Sequence, residues 1–153
     1  MNQTTVHASA VLVGAHAVLI RGPSNSGKSR LALELIEAAR SNALRFARLV
    51  ADDRAHLDVA GGRLLVRPAE TLAGMLEIRG VGLRRLDYEP CAVVGWVVDL
   101  AAADAERMPE PVRQHAEISG IILPRLAVAV GSAALPALLS LITSSQAGNP
   151  DRT

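Results

Sequence analysis

Gly22-Pro23-Ser24-Asn25-Ser26-Gly27-Lys28-Ser29 matches G-x-x-x-x-G-K-[ST], the phosphate-binding loop pattern called the P-loop. Its surroundings are those the pattern needs. Ala17-Val18-Leu19-Ile20 is a short apolar run with β-branched residues and reads as a strand. Ser29 to Arg40 reads as a helix. Leu31, Ala32, Leu35, Ile36 and Ala39 face inward, and Arg30, Glu34, Glu37 and Ser41 form a polar stripe. The loop therefore sits at a strand-to-helix joint, where unpaired backbone N–H groups and the positive helix end converge on an anion. In such a joint Gly22, Pro23, Ser24, Asn25, Ser26 and Gly27 wrap the phosphates. Lys28 reaches the β- and γ-phosphates, and the Ser29 hydroxyl holds Mg²⁺.

Upstream, Val6 to Val13 is apolar and β-rich, and Gly14-Ala15 offers a turn, so residues 6–20 read as a hairpin feeding the loop. Downstream, Asn42 is the expected helix stop. Phe46 to Ala51 is the next strand, ending in Asp52-Asp53. Arg54 to Ala60 and Arg63 to Arg67 flank Gly61-Gly62, a two-residue hairpin signal, and Pro68 closes it. Residues 70–76 suggest a short helix. Residues 77–82 carry two glycines and read as a loop with special backbone angles. Ala92 to Leu100 is an almost unbroken apolar run and reads as a buried strand. Residues 101–117 read as a long surface loop, and Ile121 to Val130 as a strand around Pro124. Ser132 to Ser144 reads as a last helix with Ser132 as N-cap and Pro136 in its first turn. Residues 146–153 are expected to fray. Two hairpins around one P-loop helix depart from simple βαβ alternation and indicate an α/β fold with a mixed sheet.

The 153 residues suffice for one domain, and none of the stretches reads as a linker, so 1–153 is expected to be a single P-loop domain. Half of the residues are hydrophobic and only 2% aromatic, so the core must be aliphatic. The same scarcity leaves no stacking platform for single-stranded nucleic acid, and a net charge of +1 gives no electrostatic footprint for DNA or RNA. No apolar run approaches the roughly 20 residues that span a bilayer, and the N-terminus lacks a signal-peptide pattern. A cytoplasmic protein without membrane or nucleic-acid partners is expected. The single cysteine, Cys91, is expected as a small buried side chain.

Phosphoryl transfer needs held phosphates, a metal, and a group that takes the proton of the attacking hydroxyl. Asp52-Asp53 supplies adjacent carboxylates at a strand end, where alternation points one to the metal and the other to the nucleophile. His16, His56 and His115 show no metal-ligand spacing.

Four pieces together resemble the C-terminal catalytic domain of HPr kinase/phosphorylase. They are His7 ahead of a hairpin, the P-loop itself, Leu49-Val50-Ala51-Asp52-Asp53, and Leu76-Glu77-Ile78-Arg79-Gly80-Val81-Gly82-Leu83. The last is close to the family's signature L-E-I-R-G-[LV]-G-[IL]. The resemblance runs from about His7 to Val130. It implies a P-loop domain similar to that of phosphoenolpyruvate carboxykinase, here in a short form without the family's N-terminal domain. It implies ATP and Mg²⁺, and phosphorylation of a serine on HPr, a carrier of the sugar phosphotransferase system. It also implies a phosphate-driven reversal and a homo-oligomer, hexameric in the family. Carried over, His7 and Lys28 match active-site positions, and Ser29 and Glu77 match magnesium-linked ones. The acidic pair contains the proton acceptor, with Asp53 as the better match and Asp52 supporting the metal or orienting His7. Arg107 matches a catalytic arginine.

Two departures stand out. Asn25 replaces a glycine usual in the family's loop, and asparagine tolerates left-handed angles. Ala129-Val130-Gly131-Ser132 stands where the family has P-V-x-P-G-R-N, without the arginine, so reverse activity is expected to be weak. The rival functions are a P-loop kinase or NTPase acting on another substrate, and a nucleotide-sensing module with little catalysis.

Overall fold

The computed structural model describes residues 5–144; the expected frayed tail, 146–153, lies outside the described residues. In chain order the elements are β1 (Ala8–Val13), β2 (His16–Arg21), α1 (Lys28–Arg40), β3 (Ala47–Ala51), β4 (Ala55–Ala60), β5 (Arg63–Pro68), β6 (Met75–Ile78), β7 (Gly82–Arg85), β8 (Ala92–Leu100), β9 (His115–Ile118), β10 (Ile121–Val128) and α2 (Leu135–Thr143). Short 3-10 turns cover Glu70–Leu72 and Pro111–Gln114.

The main sheet runs β3-β1-β2-β8-β10-β9. β1 pairs antiparallel with β2 and β3, β8 pairs parallel with β2 and β10, and β9 closes the far edge antiparallel to β10. The β4–β5 hairpin joins the sheet where β5 pairs antiparallel with the start of β8. The mixed sheet expected from the hairpins is therefore present. β8 is its hub, paired with three strands.

Alternation along the strands sorts the core into two layers. Val11, Val13, Val18, Ile20 and Val98 pack with Leu31 and Leu35 of α1 and Leu138 of α2. Ala8, Ala10, Ala17, Leu19 and Val97 point to the other face and meet Leu64 and Val66 of the β4–β5 hairpin. The largest fully buried side chains are all Leu, Ile or Val, in keeping with the scarcity of aromatics. A fully buried aliphatic of this size stabilises by roughly 1.5–3 kcal/mol relative to exposure. Helix α1 ends as expected, with Asn42 in a left-handed conformation at φ 65°.

Five expectations are corrected. Residues 70–76 form a single 3-10 turn rather than a helix, and the chain is already extended at Met75. Residues 77–82 belong to a β6–β7 hairpin, paired Glu77 to Leu83 and Ile78 to Gly82. Leu76, wholly buried, anchors this hairpin, and Gly80 and Gly82, both at positive φ, provide the turn. Residues 101–117 are not all loop. Pro111 opens the second 3-10 turn, and β9 exposes His115 and Glu117, which hide a strand in a polar stretch. Helix α2 begins at Leu135, capped by Ala134 without a side-chain hydrogen bond; the turn around Gly131 occupies Ser132 instead, and Pro136 stands in the first turn as expected. Cys91 is exposed, because it follows Pro90 and precedes the paired part of β8.

Candidate active site

The P-loop begins where β2 ends. A Cβ on Gly22 would lie 2.5 Å from Ser26 Oγ and 3.2 Å from the Leu100 carbonyl oxygen, so only glycine lets the loop fold this closely against β8. Asn25 sits at φ 65°, the left-handed angle that asparagine tolerates. Gly27, at φ 100°, caps α1, and no side chain caps that helix end and no acidic residue occupies its first turn. The first intrahelical bond runs from Leu31 N–H to the Gly27 carbonyl, so the N–H groups ahead of it face outward as donors.

Lys28 is buried, at 8% exposure. Its Nζ donates to the carbonyls of Gly22 at 2.8 Å and Pro23 at 3.1 Å. Both partners are neutral, and no carboxylate pairs with Lys28 among the described residues. Ser26 Oγ is buried without a hydrogen-bond partner among the described residues. A buried cation with no counter-charge, an unpaired hydroxyl and an open helix end all suit an anionic phosphate.

Strand β3 ends at Ala51 and delivers the acidic pair. Asp52 is buried at 7% exposure, and Asp53 is exposed at φ 67°. The two carboxylates are thus parted by a left-handed turn rather than by strand alternation. Asp52 Oδ1 accepts from Ser29 Oγ at 2.7 Å and from Ser9 Oγ at 2.7 Å, and Asp52 Oδ2 accepts from the Glu77 N–H at 3.3 Å. Strands β1 and β3, helix α1 and the β6–β7 hairpin meet on this one carboxylate. The Ser29–Asp52 contact is the donor set that a P-loop Mg²⁺ uses, a hydroxyl beside a carboxylate.

The other expected residues are placed as follows. His7 is exposed just before β1. Val6 bridges to Ala55, and Ser9 bonds to the acidic pair, so His7 flanks the Asp52–Arg54 turn. No hydrogen bond joins His7 to Asp52 among the described residues. The Glu77 carboxylate and Arg79 are exposed and form no ion pair with each other among the described residues. Arg107 is exposed on the loop after β8, and among the described residues no hydrogen bond ties it to Lys28, Asp52 or Asp53. Ser9 was not singled out from sequence. Its signal was present: a serine inside a buried apolar strand has to find a partner.

Beside the P-loop lies a cavity of about 290 Å³ between Ser24–Ser26, Leu100 and the Val128–Ser132 turn, with no charged side chain in its lining. Behind the loop, on the opposite face of the sheet, Arg21 and Arg125 both donate to Asp99, at 2.7 and 2.5 Å, and Arg125 reaches on to Asp104 at 2.8 Å. Burial pushes the Asp99 carboxyl up, but the two guanidinium groups outweigh it and hold it below its ordinary 3.8. The hydrogen bond from Arg125 likewise lowers Asp104, and Arg125 itself is raised, first by its bond to Asp104.

The family model described as HPr Serine kinase C-terminal domain matches residues 1–88, more than half of the chain and all four pieces of the site. The chain belongs to this family. HPr kinase/phosphorylase of Streptococcus thermophilus is 45% identical over 82 residues, covering 53% of this chain and 24% of that protein. The Streptococcus pneumoniae relative of the same name is 34% identical over 139 residues, covering 84% of this chain and 42% of its own length. The chain thus spans well under half the length of these HPr kinase/phosphorylase relatives. In three dimensions it is similar to the Hpr(Ser) kinase/phosphatase of Coxiella burnetii, with a TM-score of 0.70 at 23% identity over 91% of this chain and 87% of that one. The fold is therefore the family's mixed α/β P-loop fold, with few helices. Among the described residues no helix is long and apolar enough to cross a membrane.

Proposed function

We propose that the chain is the catalytic domain of an ATP-dependent serine kinase acting on HPr or a close relative, with Mg²⁺ as cofactor. The observation that carries this reading is the 2.7 Å contact between Ser29 of the P-loop and Asp52 of the acidic pair, beside a buried Lys28 with no counter-charge among the described residues. When bound, Mg²⁺ neutralises charge between the β- and γ-phosphates. Ser29, Asp52 and Glu77 are the residues assigned to it. Gly22 to Ser29 hold the phosphates through backbone N–H groups, and Lys28 offsets the charge on the transferring group. Asp52 is held inward by three donors, whereas the Asp53 carboxylate is exposed and accepts no hydrogen bond among the described residues. Asp53 is therefore assigned to take the proton of the serine hydroxyl, with His7 beside it. Arg107 is assigned a contact to the transferring phosphate that forms when the loop after β8 meets substrate.

A cytoplasmic location and a homo-oligomer belong to the same proposal. Incubating the purified chain with an HPr-type phosphocarrier and labelled ATP tests it. Labelled carrier is the expected result. Free phosphate alone would point to an NTPase or a kinase of another substrate, and binding without turnover to a sensing module.

A further inference from the structure

We infer that Ser9 is a positioning residue that sets the orientation of both carboxylates of the acidic pair, a role that rests on the kinase reading above. Ser9 is wholly buried near the start of β1, on the face that carries Val11 and Val13 against α1. A hydroxyl in that layer costs free energy unless it is paired. It is paired twice, and both partners are in the acidic pair, more than forty positions away in the chain. Ser9 Oγ donates to Asp52 Oδ1 at 2.7 Å and accepts the Asp53 backbone N–H at 3.2 Å.

The chemistry of a hydroxyl gives this arrangement a direction. Oγ has one proton and two lone pairs. With the Asp53 N–H on a lone pair, the proton points at Asp52. Asp52 Oδ1 then receives two hydroxyl protons, from Ser9 and from Ser29, while Oδ2 takes the Glu77 N–H. The carboxylate is fixed from three separate elements. Ser29, with its O–H directed at Asp52, keeps its own lone pairs for a cation.

The second bond acts on the backbone. A non-glycine residue at φ 67° is held in an uncommon conformation. The Ser9 hydroxyl is the side-chain partner of the Asp53 amide at that position. It keeps the turn that sends the Asp53 carboxylate outward and leaves Asp52 inside. One hydroxyl thereby sets the inward carboxylate by its proton and the outward one by its lone pair.

The test is Ser9→Ala in the full chain, which removes one oxygen and leaves the β-carbon in place. Three quantities are read: the Mg²⁺ dependence of binding a fluorescent ATP analogue, the hydrogen-exchange rate of the Asp53 amide, and kcat and KM for an HPr-type phosphocarrier. Thermal melting first establishes that the variant is folded. We expect the Mg²⁺ half-saturation to rise about 5- to 10-fold and kcat to fall about tenfold, as for loss of a buried hydrogen bond to a charged group. The carrier KM should stay near its wild-type value, and the Asp53 amide should exchange faster. Ser9→Thr, which keeps the hydroxyl, should restore all three; if its extra methyl unfolds the protein, the alanine variant decides alone. A folded Ser9→Ala with wild-type Mg²⁺ dependence and wild-type Asp53 exchange overturns the role. If the wild-type chain labels no carrier, the kinase reading fails, while the Mg²⁺ and amide measurements still decide the role of Ser9.

Discussion

The ammonium of Lys28 rests on two carbonyl oxygens, at 2.8 and 3.1 Å, and neutral partners cannot cancel its charge. Replacing it removes the cation together with its buried stem. Lys28→Ala should give a folded protein whose phosphorylation of HPr is at least ~100-fold slower, the scale of losing one preorganised charge contact. Wild-type turnover would refute the P-loop assignment. The acidic pair separates by environment. Asp53→Asn keeps shape but cannot accept a proton, so single-turnover phosphorylation should fall by ~10²–10⁴-fold with ATP binding intact. Asp52→Asn should instead raise the Mg²⁺ requirement or weaken nucleotide binding, because Asp52 is tied to Ser29. Normal turnover in Asp53→Asn, with a dead Asp52→Asn that still binds ATP, would reverse the two roles. Lys28 and Ser29 were legible in sequence because both fall inside one contiguous eight-residue pattern. The split between Asp52 and Asp53 was not, because it depends on a left-handed turn and on contacts to Ser9 and Ser29, 43 and 23 positions away.

The ends of β2 and β8 are clamped to the middle of β10 by Arg21, Asp99 and Arg125. Asp99 titrates below 3.8 in the fold, so the folded chain keeps a charge there that the unfolded chain loses on acidification. A lowered carboxylate contributes stability that is fully present above the unfolded value and disappears as pH falls through the folded one. Chemical denaturation at a series of pH values should therefore show a plateau above about pH 5 and a decline below it. Asp99→Asn should flatten that decline and cost about 1–3 kcal/mol at neutral pH, since two guanidinium groups lose their charged acceptor. An unchanged acid limb in the variant would remove Asp99 from this role. Strands with clean apolar runs, β2 and β8, were legible almost to the residue. The β6–β7 hairpin and β9 were not, because half or more of their side chains face solvent, and a four-residue strand offers too few positions for alternation to register.

For the molecule as a whole, the proposed kinase function carries an expectation about the direction of phosphoryl flow, resting on the charge around the cavity beside the P-loop. The Val128–Ser132 turn presents Val130 and Gly131 there and no arginine. With phospho-HPr and excess inorganic phosphate, pyrophosphate release should be at least ~10-fold slower than forward phosphorylation, since the lining of that cavity adds no cation to Lys28 for the attacking phosphate. Comparable rates would make the missing arginine irrelevant. The mixed sheet was legible from two hairpins around one helix. The position of β8 between β2, β5 and β10 was not, because nothing local specifies which distant strand a buried apolar run will join. That central position also shapes how the chain reaches its native state. β1, β2, α1 and β3 are consecutive and nearly self-contained, whereas the β2–β8 ladder brings together Arg21 and Asp99, 78 positions apart. Closing so large a loop precedes any gain from pairing, and domains dominated by such distant contacts fold in roughly milliseconds to seconds. We expect Val97→Ala in β8 to slow refolding in stopped-flow experiments, whereas Val59→Ala in the β4–β5 hairpin should act mainly on unfolding. Equal effects on both refolding rates would show that the last strand to arrive is not the one that commits the chain.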